Sequence, residues 1–223
     1  MHQSTPFGAV EFAANPEPRC ACVLVLDCSA SMAGQRLQEL QRGLTQFREE
    51  LLGDPLARKR VEVAVVTFGG SVKLACDFTT MEHFEPPRLQ AEGLTPMGSA
   101  IATALDLLTT RKQVYRTNGV SYYRPWVFIL TDGEPNDDWH AAVHLVRDVE
   151  TSKQAAVFAV GIGEANFEVL RQIAVRQPLQ LRGLMFREMF QWLSNSLKSV
   201  SHSATSEEVP LANPSGPEGW AKI

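Results

Sequence analysis

Short apolar runs alternate along the chain with longer stretches in which apolar positions recur every three or four residues. Cys22 to Leu26, Val61 to Phe68, Trp126 to Thr131 and Ala155 to Ile162 are of strand length and almost continuously apolar, as strands covered on both faces require. Gln35 to Leu52 carries Leu37, Leu40, Leu44, Phe47 and Leu51 at helical spacing. Thr95-Pro96 opens another helix, to about Arg111, with Pro at the first helical position and Thr as the cap before it. Helices are also expected over Asp138 to Glu150, Phe167 to Val175 and Phe186 to Val200, with a weak strand at Leu179 to Leu181. Gly69-Gly70, between Val61–Phe68 and the strand-like Ser71–Cys76, predicts one hairpin at a sheet edge. The alternation predicts an α/β fold, a doubly wound, mostly parallel six-stranded sheet with one antiparallel edge strand and helices on both faces. Residues 1–18 read as an N-terminal extension and 19–200 as the domain. Residues 201–223, rich in Ser, Pro, Gly and Glu, read as a flexible C-terminal tail.

Composition narrows the function classes. A chain of 223 residues, 44% apolar, can bury a full core without metal or disulfide staples, so any bound metal is expected to serve function rather than folding. Of the four cysteines, Cys20, Cys22 and Cys28 crowd one strand and its end, which suits buried thiols in a reducing compartment; Cys20-x-Cys22 lacks the two-residue spacer of a zinc or redox pair. No stretch approaches the roughly 18 apolar residues of a membrane span. Met1 to Pro18 lacks the basic start and apolar segment of a signal peptide, so a cytoplasmic protein with no membrane partner is expected. The 21 basic residues are scattered and outnumbered by 25 acidic ones, which argues against a nucleic-acid partner.

The chemistry-bearing residues cluster where strands end: Asp27-Cys28-Ser29-Ala30-Ser31, then Thr95, then Thr131-Asp132-Gly133. In doubly wound sheets the ligand crevice lies beyond the carboxyl ends of the strands, where the strand order reverses. If the first strand and the one ending at Thr131 are neighbours, Asp27 and Asp132 face each other there, and a loop curling past Asp27 turns Ser29 and Ser31 to the same point. Two carboxylates and three hydroxyls, on Asp27, Ser29, Ser31, Thr95 and Asp132, make a hard oxygen set suited to Mg²⁺ or Mn²⁺. The shell keeps exchangeable positions, and an acidic side chain of a partner protein would complete it. Met97, Gly98, Gly133 and Glu134 are expected to form the partner-binding rim.

In order and residue type these segments resemble the von Willebrand factor A domain with its metal-ion-dependent adhesion site, whose pattern is Asp-x-Ser-x-Ser, a distant Thr, and Asp-Gly. The resemblance implies a Rossmann-like fold, hydroxyl ligation by Ser29, Ser31 and Thr95, and aspartates that bind directly or through water. Family members commonly have Gly where this chain has Ala30, which lacks glycine's easy access to positive φ. From about Phe7 to Ser199, the segments Asn15-Pro16-Glu17-Pro18-Arg19-Cys20, Tyr122-Tyr123-Arg124-Pro125-Trp126 and Phe190-Gln191-Trp192-Leu193-Ser194 are similar to TerY-type proteins of bacterial tellurium-resistance and chemical-stress operons. That resemblance implies a non-enzymatic scaffold encoded near a protein kinase and a PP2C-type phosphatase.

Two other classes compete. A metal-dependent phosphohydrolase would need an activated hydroxyl, but no glycine-flanked nucleophile elbow surrounds Ser29 or Ser31, and no second carboxylate stands at Ser29. The family resemblance also admits a subunit of a ring ATPase or metal-insertion complex. His140 and His144, four apart on an expected helix, offer a second metal pair or simply a solvent face. Tyr115, Tyr122, Tyr123 and Trp126 fall between one helix and the next strand, either as a second partner surface or as pins for that loop.

Overall fold

The computed structural model describes residues 12–217 and 219–222. Met1 to Glu11, most of the expected N-terminal extension, and the start of the resemblance at Phe7 lie outside them. Strand β1 (Cys20–Asp27) is buried at all eight positions, because it pairs in parallel with β2 (Val61–Gly69) on one side and β4 (Trp126–Thr131) on the other. Beyond β4 the sheet continues in parallel through β5 (Ala156–Gly161) and β6 (Leu179–Leu181). At one edge β3 (Ser71–Thr80) runs antiparallel to β2, turning at Gly70 as the Gly-Gly pair predicts.

At the other edge the structure corrects the sequence reading. A seventh strand, β7 (Ala221–Lys222), pairs antiparallel with β6, giving the order β3-β2-β1-β4-β5-β6-β7 and two antiparallel edges rather than one. The stretch expected to be a flexible tail therefore completes the sheet. Its composition is that of a linker, but distant side chains hold it. The Trp192 indole N–H donates to Ala212 O at 2.7 Å, Arg182 N–H donates to Trp220 O at 2.9 Å, and Trp220 is buried 5.6 Å from Trp192, ring centre to ring centre.

Two apolar layers enclose the sheet. On one face α1 (Gln35–Leu52), the short α2 (Ala57–Arg60) and α6 (Phe186–His202) cover Cys22, Leu24 and Leu26; the α1 stripe of Leu40, Leu44 and Phe47 meets Phe186, Phe190 and Leu193 of α6. On the other face α3 (Met97–Thr117), α4 (His140–Thr151) and α5 (Phe167–Ile173) cover Val23, Val25 and Val127 with Ile101, Leu105, Val146 and Leu170. Helix α3 extends past the expected end near Arg111 because its buried stripe continues through Leu108, Lys112 and Tyr115.

The amino ends of the strands are pinned by charge. Arg19 and Glu62 are both fully buried, with Arg19 Nε 2.7 Å from Glu62 Oε1; Arg111 Nε lies 2.8 Å from Oε2, and the Tyr115 hydroxyl donates to the same oxygen. Tyr123 donates to Ser203 O at 2.7 Å. A second partner surface at these aromatics is thus corrected: Tyr115, Tyr123 and Trp126 are buried, and Tyr122 is half-buried with its ring 5.4 Å from that of Tyr115. Their work is to hold the loop before β4 against the domain.

Candidate functional site

From β1 the chain winds toward the β3 edge, and from β4 toward the β7 edge, so a crevice opens beyond the carboxyl ends of this central pair. Asp27 ends β1, Thr131 ends β4, and Asp132 follows. The Asp27 side chain is buried; Oδ1 accepts the Ser29 N–H at 2.8 Å and Oδ2 accepts the Thr131 hydroxyl at 2.5 Å. Burial pushes the Asp27 carboxyl above its ordinary pKa, with a smaller push from the charge of Asp132, while the hydrogen bonds from Ser29 and Thr131 oppose the rise.

After Asp27 the chain forms a single 3-10 turn over Ala30–Met32, with Met32 N–H donating to Ser29 O at 3.0 Å. Among the described residues only Lys153 combines a side chain with positive φ, so Ala30 serves this turn without strain. The turn brings Ser29 Oγ and Ser31 Oγ to 3.0 Å, and the Ser31 hydroxyl donates to Asp132 Oδ1 at 2.7 Å. Asp132 Oδ2 is 2.6 Å from a guanidinium nitrogen of Arg36, in the first turn of α1.

Thr95 enters on the loop before α3. Ala30 N–H donates to Gly93 O at 3.0 Å and Gly70 N–H to Leu94 O at 2.7 Å; at Gly93, φ is +61°, and a Cβ would stand 2.3 Å from Gly70 Cα, so a glycine is required. Thr95 does not cap α3, which corrects the sequence reading. Asp137, from a remote loop, accepts Gly98 N–H at 3.0 Å and Ser99 N–H at 2.8 Å and so satisfies the first turn. The Thr95 hydroxyl is left with no hydrogen-bond partner among the described residues. It borders the same space as Asp27: a Cβ built on Gly133 would lie 3.1 Å from Thr95 Oγ1 and 3.9 Å from Asp27 Oδ2.

Three segments thus bring two carboxylates and three hydroxyls to one crevice on a doubly wound sheet. The model of the von Willebrand factor type A domain matches residues 22–187, most of the chain. The chain belongs to the von Willebrand factor type A domain family. Members of this family generally serve as protein-interaction or adhesion modules. The domain is 27% identical over 192 residues to the collagen alpha-5(VI) chain of Mus musculus, covering 82% of this chain but 7% of the collagen chain. Among solved structures, the pilus adhesin SpaC of Lactobacillus rhamnosus GG is similar with a TM-score of 0.66 and 15% identity, over 82% of this chain and 30% of the adhesin. BatB of Bacteroides thetaiotaomicron gives 0.54 and 19%, over 81% and 100% of the two chains. A proximal thread matrix protein of the mussel byssus gives 0.57 and 17%, over 83% of this chain and 47% of its own length. At these identities the structural likenesses establish the shared fold.

In this von Willebrand factor A domain the rim differs from the sequence expectation. Gly133 and exposed Glu134 lie on it, the latter accepting from Asn166 Nδ2 at 3.3 Å. Met97 and Gly98 do not, because the Asp137 cap draws the start of α3 under the 138–139 backbone and buries both residues. Leu94, 65% exposed beside Thr95, is a rim residue that sequence reasoning missed, as are Arg36 and the capping Asp137. Arg36 had one signal, its place just after Gly34 at a helix start; Asp137 had none, since its contact spans about 40 residues of chain. His140 and His144 are both exposed, with His140 stacked on Trp139, and no three His, Cys, Asp or Glu gather as a metal cluster among the described residues. No helix is long and apolar enough to cross a membrane among the described residues.

Proposed function

We propose that this domain is a cation-dependent protein-binding module in which Asp27, Ser29, Ser31, Thr95 and Asp132 hold Mg²⁺ or Mn²⁺ and an acidic side chain of a partner completes the shell. One observation carries the reading: Ser29, Ser31 and Asp132 are linked oxygen to oxygen, while the neighbouring Thr95 hydroxyl, 7% exposed as a residue, has no hydrogen-bond partner among the described residues. Every donor is a hard oxygen, and two carboxylates match a dication without saturating its shell. A bound cation supplies an open coordination position and a positive charge for the partner's carboxylate. Asp27 anchors the floor through its bonds to Ser29 and Thr131, Ser31 orients Asp132, and Gly133 leaves room above Thr95.

By the sequence resemblance, the partners are a kinase and a PP2C-type phosphatase of a bacterial tellurium-resistance or chemical-stress system, and the module is a non-enzymatic cytoplasmic scaffold. The test is thermal melting of the full chain in Mg²⁺ or Mn²⁺ and in EDTA, beside an Asp27→Ala, Asp132→Ala double variant. Stabilisation by the ion in the parent alone supports the site by linkage. Co-purification of the kinase or phosphatase that persists in EDTA would sink the cation-dependent mode of binding.

A further inference from the structure

We infer that Arg36 is an internal rival for the cation, a latch that occupies Asp132 and sets how tightly the crevice takes a divalent ion. This rests on the cation-site reading above. The Arg36 guanidinium is 2.6 Å from Asp132 Oδ2 and within 3.4 Å of Ser31 O. The Asp132 side chain has no exposure, whereas that of Arg36 is 36% exposed, so the pair joins a sequestered carboxylate to a cation that reaches it from solvent. The guanidinium is lodged between loops: a Cβ on Gly163, after β5, would come within 2.9 Å of its second terminal nitrogen. Its backbone belongs to the first turn of an 18-residue helix and cannot drift far.

Both oxygens of Asp132 are engaged, Oδ1 by Ser31 and Oδ2 by Arg36. The carboxylate is therefore neutralised and satisfied without any metal. A dication binding among Ser29, Ser31 and Asp132 meets the guanidinium as a like charge competing for the same anion. Two ligands that exclude one another at a shared group are coupled reciprocally, so whatever weakens Arg36's hold tightens the ion's.

The experiment is calorimetric titration of MnCl₂ into the full chain as parent, Arg36→Gln, Arg36→Lys and Asp132→Ala. Arg36→Gln keeps much of the side chain's reach and removes the charge; it is expected to bind Mn²⁺ about tenfold more tightly, within the range usual for coupled sites. Arg36→Lys, retaining the charge, should stay nearer the parent. Melting supplies a second readout: in EDTA Arg36→Gln melts below the parent because Asp132 has lost its partner, and saturating Mn²⁺ closes that gap. Equal or weaker Mn²⁺ binding by Arg36→Gln, or a melting gap that Mn²⁺ leaves unchanged, overturns the latch and leaves the cation site standing. Absence of Mn²⁺ binding in the parent and in both Arg36 variants overturns the cation site itself.

Discussion

The hydroxyl of Thr131 donates to Asp27 Oδ2 across 2.5 Å, tying the ends of two adjacent parallel strands through a buried carboxylate. Burial leaves that carboxyl with a raised pKa in the fold. A raised value means that Asp27 contributes most to stability in acid, below its unfolded pKa of about 3.9, and that this contribution is lost as pH rises through the folded value. Asp27→Asn cannot ionise and still offers an oxygen to Ser29 N–H and an amide to Thr131. In EDTA it should melt higher than the parent at neutral pH, with the difference fading below about pH 4. Melting curves recorded across that range check this, and a gap independent of pH would contradict it.

Gly133→Ala tests the space above Thr95. The new Cβ would press to 3.1 Å on Thr95 Oγ1, which must yield by a few tenths of an ångström. The variant should fold and melt near the parent in EDTA, yet lose most of the stabilisation given by Mg²⁺. An undiminished Mg²⁺ response would show that Thr95 takes no part in holding the ion.

Much of this architecture is legible in sequence because it is local. The all-buried strands, the α1 stripe from Leu40 to Leu51 and the Gly69-Gly70 turn each declare themselves within a window of a few residues. The five oxygen-bearing residues were legible because each sits at a strand end or in the loop before a helix, and the sheet order does the rest. What was not legible depends on partners far away in the chain. Thr95 has the residue type of a cap, and only the arrival of Asp137 relieves it of that work. Residues 203–217 have the composition of a linker, and distant partners, among them Tyr123, Lys153, Arg182 and Trp192, give them a place to lie.

The cap itself can be tested. Asp137→Ala should cost about 1 kcal/mol and lower the amide-exchange protection of Gly98 and Ser99, whereas Thr95→Ala should leave that protection intact. Loss of protection in Thr95→Ala would restore the threonine as the cap.

Trp220 anchors the last strand. Its residue is 3% exposed and its indole nitrogen has no hydrogen-bond partner among the described residues, so its value lies in area and shape. Trp220→Ala should cost about 3–5 kcal/mol in urea unfolding, and Trp220→Phe markedly less. Equal losses in the two variants would point instead to a polar role for the indole.

As the chain leaves the ribosome, β6 emerges about 40 residues ahead of the strand that covers its edge. Until Ala221–Lys222 arrives, Gln180 and Leu181 present unpaired backbone, and the ring of Trp192 lacks its cover from Trp220. Nascent domains on neighbouring ribosomes can pair along that edge during the interval. The strand that covers this edge is thus the last of the described elements to arrive, and slow elongation before Ala221–Lys222 lengthens the interval in which β6 is bare on that side.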